Sequence, residues 1–241
     1  MKGRFLWRAL RARYRDQRAE LQAIRNELRP GDTVCDIGAN KGSYLFWLSH
    51  WVGRGRVIAF EPQEKLANYL STICRAMHLD NVTVEPKAVF SRSGQMILSI
   101  PGKKDVSPGA SLSNRVAERE ECRTVVVPVV SLDDYLAGDS RVRVLKIDVE
   151  GAEMQVFLGA AKLLKTQSPL LVFECENRHL ESGSVADVFD FLRELGYVGK
   201  FVCGWKLRPL EEFTPDVHQR QTGNRFWDSK DYYNNFVFRK K

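Results

Sequence analysis

From Thr33 onward, short apolar runs rich in β-branched residues alternate with longer stretches whose apolar positions recur every three or four residues, as strands and helices do in turn. The pattern predicts strands near 33–37, 56–61, 82–88, 142–148, 169–175, 197–203 and 235–239. It predicts helices near 42–51, 63–78, 152–165 and 184–195, with Gly196 stopping the last. Such alternation builds a doubly wound, mainly parallel sheet covered on both faces. The stretch 94–130 breaks it. Two β-rich runs, Gln95–Ile100 and Thr124–Val130, flank a loop of Gly, Pro, Ser and Lys at 101–114, so an inserted β-hairpin carrying a mobile lid or substrate loop is expected there. Ahead of the sheet, Leu10, Tyr14, Gln17, Leu21, Ile24 and Leu28 share one face of an amphipathic helix predicted over 1–29, which Pro30-Gly31 stops.

With 241 residues, 44% hydrophobic and 28% charged, the chain can bury one continuous core, so one α/β domain over 30–241 is expected after the N-terminal helix. The net charge of +7 is unevenly placed: residues 1–29 hold nine Lys or Arg against three acids. Two readings fit that segment, a solvated helix docked by its apolar seam, or a peripheral site for an anionic partner such as nucleic acid, a phospholipid surface or a phosphorylated substrate. The five cysteines are widely spaced with no CxxC pair, which indicates neither a zinc site nor a disulfide framework. No apolar run approaches the roughly 20 residues that span a bilayer, and charges occupy the place of a leader's apolar core, so a cytoplasmic location is expected.

The most specific motif is TVCDIGANKGSYLFWL, Thr33 to Leu48, where a strand ends at Asp36 and runs through a glycine turn into a helix. Such a turn lies at the sheet edge where ligands bind. Gly38 and Gly42 permit positive φ and close approach, and the N–H groups at the helix start are expected to face the ligand. A carboxylate at Asp36 would repel the pyrophosphate of a dinucleotide, and the glycines are spaced GxxxG with Asn40 between them. An ammonium and a sulfonium would instead be attracted, which favours S-adenosylmethionine (SAM) over NAD. Glu61, 25 residues after Asp36 at the end of VIAFEP, is placed to accept both ribose hydroxyls, with Pro62 beside it.

In VLKIDVEGAE, Val144 to Glu153, period-two geometry puts Lys146, Asp148 and Glu150 on one side of a strand that is otherwise apolar. Charges in a buried strand are paired or functional, so a Lys146–Asp148 or Lys146–Glu150 ion pair stands beside a catalytic role. Glu174 and Glu176 end the neighbouring strand in LLVFECEN. Four acids around one cleft could hold a divalent cation or raise one another's pKa to make a general base. Glu150 also fits a helix cap, and His179 fits either a base or a surface residue. No metal site is assigned.

With these residues in view, the chain resembles the FkbM-type family of SAM-dependent methyltransferases. The resemblance rests on DIGANKG, FEP, SLDDYL followed by LKIDVEGAE, VFECEN and NNFVF, and spans about residues 28–239. It implies a class I methyltransferase fold of seven strands with the last antiparallel, acting on hydroxyls of sugars, glycans or polyketide-like natural products. It also implies that Asp36, Gly38, Asn40 and Gly42, with Ala39 and Ser43 in the same turn, hold the methionine side of the cofactor. Adenine would lie near Lys87 and Ala88, and Asp148 would face the transferred methyl or the acceptor. Members often carry a histidine two positions after the acid corresponding to Glu174; this chain has Glu176 there. The base is therefore not carried over by analogy, and the arginine-rich segment lies outside the resemblance.

Methyl transfer to an alcohol requires collinear positioning and a proton acceptor. Asp148 is the first candidate for that acceptor, with Glu150, Glu174 and His179 in reserve. A nucleic-acid enzyme is the first rival, motivated by the basic segment. Its amino-directed form needs an (Asp/Asn)-Pro-Pro-(Tyr/Phe) tip where this chain reads Asp-Val-Glu, which leaves ribose 2′-hydroxyl methylation. The second rival is a SAM-binding protein without turnover. Ser111 and Ser113 in the insertion are candidate acceptor contacts.

Overall fold

The computed structural model describes residues 1–240 apart from 104, 114, 116, 117, 119, 120, 139, 140 and 224. In chain order the strands are β1 (Thr33–Ile37), β2 (Arg56–Phe60), β3 (Val82–Glu85), β4 (Ala88–Val89), β5 (Gly94–Pro101), β6 (Cys122–Val130), β7 (Val142–Ile147), β8 (Leu170–Glu174), β9 (Tyr197–Cys203), β10 (Lys206–Pro209) and β11 (Asn235–Lys240). The main sheet has the order β10-β9-β11-β8-β7-β1-β2-β3. Pairing is parallel from β8 through β7, β1 and β2 to β3, while β11 runs antiparallel between β8 and β9. The seven expected strands are all present in it, with β10 added at the edge. That short strand escaped the sequence pattern because three of its four residues are exposed.

All five residues of β1, TVCDI, are buried, because helices cover both faces of the sheet. On one face lie α1 (Lys2–Arg11), α2 (Arg18–Glu27), α3 (Leu45–Val52) and α4 (Glu64–Ala76), whose Phe5, Leu21, Ile24, Leu48 and Leu70 pack with Val34, Val144 and Val172. On the other, Val156, Phe157, Leu164 and Phe189 pack with Ile37, Ile147 and Phe173. The chain leaves β1 for β2 and β3, then returns to β7 on the opposite side of β1. This reversal opens a crevice beyond the carboxyl ends of β1 and β7, where ligands bind in such sheets.

Four sequence expectations are corrected. The single helix over 1–29 is two helices joined by a π-turn at Ala12–Asp16, closed by Gln17 N donating to Ala12 O at 2.8 Å. The wider turn rephases the apolar seam: Phe5, Ala9 and Ala12 are buried, whereas Leu10 and Tyr14 are 48% and 62% exposed. The helix over 152–165 is broken at Gly159, where a Cβ would lie 2.1 Å from the Phe90 carbonyl oxygen. The strand over 82–88 stops at Glu85, and Ala88–Val89 pairs instead with β6. Helix α3 starts at Leu45, not Gly42. The insertion is the expected hairpin, β5 antiparallel to β6, and with β4 it forms a second, three-stranded sheet. Among the described residues no helix is long and apolar enough to cross a membrane.

Two arginines anchor α2 to the sheet: the half-buried Arg143 on β7 and the exposed Arg239 on β11 each meet one oxygen of Glu27, at 2.7 and 2.8 Å. The same helix buries Glu20, whose pKa burial pushes up to about 7 from an ordinary value of 4.5. A carboxyl with a raised folded pKa stabilises the fold fully below its unfolded pKa, and that contribution is lost as the pH climbs through the folded one. Glu20→Gln should therefore match the parent in urea unfolding at pH 4.5 and exceed it at pH 8 by roughly 1–3 kcal/mol. Parallel pH profiles for the two proteins would disprove the assignment.

Candidate active site

At the crevice, a cleft with about 730 Å³ of empty volume is lined by Gly38, Asn40, Glu61, Pro62, Lys87, Ala88, Asp148, Glu150 and Glu174, among others. The remaining sequence-derived positions, Asp36, Ala39, Gly42, Ser43, Lys146 and His179, stand outside its lining.

The glycine turn follows β1 directly. Gly38, Asn40 and Gly42 have φ of 77°, 47° and 74°, so the sequence places glycine or asparagine where the left-handed region is required. A Cβ on Gly38 would lie 1.8 Å from the Asp148 carbonyl oxygen, which is how closely the tips of β1 and β7 approach. The turn's amides are used internally. Gly38 N and Ala39 N donate to Phe60 O, Gly42 N donates to Ala39 O, and Asn40 N donates to Glu61 Oε2. The amides of the turn itself are thus taken by β2, Glu61 and Ala39, and two residues, Ser43 and Tyr44, separate Gly42 from α3.

Glu61 is 2% exposed. Its second oxygen accepts from Gln63 N at 2.9 Å. Burial pushes its pKa up to about 6, against the pull of the Gln63 and Asn40 amides. Each oxygen keeps a lone pair, so the carboxylate is held rigidly with capacity for further donors. Lys87 is engaged by Glu85 at 2.8 Å and by the Tyr135 ring at 5.4 Å.

The parallel register sets Asp36 opposite Lys146. The Lys146 ammonium meets Asp36 Oδ1 at 3.2 Å, Gly38 O at 3.3 Å and Asp148 Oδ2 at 3.5 Å, with the Tyr44 ring 5.2 Å away. Burial depresses the pKa of Lys146, but Asp36 and Asp148 outweigh it and hold the group above the ordinary lysine value. The pair expected within one strand is thus joined by a third partner across strands. Asp36 lies 1% exposed beneath the turn and faces Lys146, not the cleft.

The four acids separate. Glu150 sits at φ 55°, so strand alternation stops at Ile147, and its carboxylate turns to His179 Nδ1 at 2.7 Å. Glu176 is buried; burial pushes its pKa up, but Arg178, Tyr232 and Asn234 together hold it well below the ordinary range. Glu174 accepts from Asn234 Nδ2 at 2.7 Å and among the described residues has no ion-pair partner, so burial and then Asp148, Glu150 and Glu176 drive its pKa far up. Asp148, with its side chain 35% exposed, faces Lys146.

The hairpin loop reaches over the cleft, contributing Pro108, Ala110 and Leu112 to the lining. Gln63 pins it, exchanging hydrogen bonds of 2.9 Å with both backbone groups of Ser107. Ser111 and Ser113 are buried, their hydroxyls donating to Glu150 O and His179 O, so they fasten the loop and are not open acceptor contacts. Sequence reasoning missed Gln63 and Asn234. Nothing in the chain near Gln63 announces a partner 44 positions away, whereas Asn234 was visible in NNFVF but had no assigned role.

A family model described as the methyltransferase FkbM domain matches residues 36–198. The fold is similar to that of the methyltransferase FkbM of Methylobacillus flagellatus KT, with a TM-score of 0.54 and 16% identity; the alignment covers 97% of this chain and 53% of that one, about half its length. It is also similar to a SAM-dependent methyltransferase from Aquifex aeolicus, with a TM-score of 0.50 and 19% identity over 95% and 91% of the two chains. By sequence, the chain is 22% identical over 143 residues to ribosomal RNA large subunit methyltransferase E of Desulfosudis oleivorans, covering 59% of this chain and 67% of that protein.

Replacing Lys146 tests the central tie. Lys146→Met leaves Asp36 buried without its counter-charge and should cost about 3–5 kcal/mol in urea unfolding. Adding Asp36→Asn should recover a large part of that loss. A single variant as stable as the parent would show that the ammonium does not hold the strand tips together.

Proposed function

Because the chain belongs to the FkbM methyltransferase domain family, we propose that it transfers a methyl group from SAM to a hydroxyl oxygen of a sugar, glycan or natural-product acceptor. The observation that carries this reading is the acidic cleft at the tips of β1, β2 and β7, with the buried Glu61 clamped by two backbone amides. SAM is the cofactor of this family of fold, and the residues present suit it. Glu61 offers two oriented oxygens for the ribose diol, next to Pro62. Gly38 and Asn40 form the wall for the methionine portion, with Ala39, Gly42 and Ser43 supporting the turn behind it. Lys87 and Ala88 border the adenine end.

When bound, SAM supplies an electrophilic methyl group on a cationic sulfur. The chain's own task is to hold the acceptor oxygen in line with it and to take the hydroxyl proton, and alignment alone is worth up to roughly 7–11 kcal/mol. Asp148 is the proposed proton acceptor, since its carboxylate lines the cleft and retains an exposed side. Lys146 is a positioning residue that fixes Asp148. Burial and the neighbouring acids drive the pKa of Glu174 far up, which suits it to donate a hydrogen bond to the acceptor in its protonated form. Glu150 and His179 form a pair behind the loop and are assigned to its support.

A second reading is methylation of the ribose 2′-hydroxyl of RNA. The basic N-terminal segment favours it, as does the likeness to an enzyme named for ribosomal RNA. The acids in the cleft oppose it, because they repel phosphates.

Incubation with labelled SAM and separate panels of glycans, natural products and RNA distinguishes these readings. Label on a glycan or natural-product hydroxyl is expected; label on RNA alone selects the second, and SAM uptake with no transfer to any class defeats both. Asp148→Asn should lower turnover by about 10²–10⁴-fold with SAM affinity within a few-fold. Glu61→Gln should instead weaken SAM binding by roughly tenfold or more, measured by calorimetry. A fully active Asp148→Asn enzyme removes that residue from the mechanism.

A further inference from the structure

Beside the glycine turn a second concavity opens, with a field opposite to that of the acidic cleft. Helices α1 and α4 and the turn residue Lys41 wall a groove with about 1380 Å³ of empty volume, lined by Arg4, Arg8, Lys41 and Lys65 and by the rings of Trp7 and Tyr69. Asp105 is the one acid in this lining, and it pairs with Lys65. Among the described residues no acid pairs with Arg4, Arg8 or Lys41.

These four cations come from α1, the glycine turn and α4 and converge on one space. Arg8 is fixed there: its guanidinium donates to the Tyr69 hydroxyl at 2.9 Å and lies 5.6 Å from that ring. Its Nε is buried and has no acceptor, so the group carries donor capacity that the protein leaves unused. Trp7 is 57% exposed and presents a ring at the rim. Several unpaired cations around a concave space match a group with several anionic oxygens, above all a phosphate or pyrophosphate, better than a single carboxylate. The lining sets four cations around two rings and so offers charge before apolar area, which suits an anionic group better than insertion into a bilayer.

Asn40 lines the cleft and the next residue, Lys41, lines the groove, so the two spaces meet at the glycine turn. We propose that the groove binds the phosphate or pyrophosphate group of the methyl acceptor, which makes the acceptor a phosphorylated or nucleotide-linked compound and not a neutral glycan. The inference rests on the methyltransferase reading for the identity of the ligand as acceptor. The division of charge then orients it, with the anionic end in the groove and a neutral hydroxyl toward the acids.

Calorimetric titration of the full chain with inorganic pyrophosphate and, separately, with SAM reads the two spaces independently. Saturable pyrophosphate binding is expected, weakened about tenfold or more by Arg4→Glu while SAM affinity stays unchanged. With a sugar phosphate and its dephosphorylated form as paired substrates, the phosphorylated one should have the lower KM, and Arg4→Glu should erase the difference. A protein that binds SAM but not pyrophosphate overturns the groove, as does pyrophosphate binding indifferent to Arg4→Glu. So does tight attachment to phosphatidylglycerol vesicles that excess pyrophosphate fails to displace. Failure of the parent protein to bind SAM at all would count against the methyltransferase reading and leave the pyrophosphate result to be judged alone.

Discussion

A single buried ammonium holds the two halves of this molecule's ligand edge together. Lys146 reaches from β7 to the Asp36 carboxylate and the Gly38 carbonyl at the end of β1, and to Asp148 beyond its own strand. Placing a charge in a sheet interior is costly unless it is paired and hydrogen-bonded, so the ammonium is tolerated only while both tips stay in this arrangement. The close approach of Gly38 to the Asp148 backbone has the same consequence, since a side chain at that position would force the strands apart. The shape of the cleft therefore follows from strand register and one charge, before any ligand contributes.

That tie also assigns the acids their different characters. Asp148 has the cation, Glu150 has His179, and Glu176 has Arg178, Tyr232 and Asn234. Among the described residues Glu174 has no ion-pair partner; it accepts from the Asn234 amide, and burial together with three neighbouring carboxylates drives its pKa far up. The four acids of the sequence motif are thus one carboxylate beside a lysine, one acid whose pKa is driven far up and two structural pairs.

Much of this was legible in the chain because the informative features were local. Strand and helix alternation follows from periodicity, and the glycine turn follows from residues needing positive φ within a few positions of one another. The failures were of two physical kinds. The π-turn at Ala12–Asp16 and the break at Gly159 depend on what packs against the helix, which periodicity does not contain. The partners of Asp36, Glu61 and Ser111 depend on register and loop closure, which bring together residues 110, 21 and 39 positions apart or more closely than spacing suggests. Asp36 was read as an anionic rim because its role was inferred from the ligand it might attract; the lysine opposite it in β7 decides otherwise.

The N-terminal helices, which lie outside the stretch matched by the family model, are nonetheless built into the same edge. Phe5 of α1 is fully buried, and a Cβ on Gly42 would lie 3.1 Å from its ring and 2.8 Å from Leu70 of α4. The turn that shapes the cleft is therefore packed from behind by the helix that carries Arg4, Trp7 and Arg8. Displacing α1 would expose apolar surface at Phe5 and loosen Gly42 together, so the basic groove and the acidic cleft share one mechanical support. Because their fields are opposite and their walls are adjacent, a ligand with separated neutral and anionic parts has one favourable orientation between them, and reversing it would place phosphate among carboxylates.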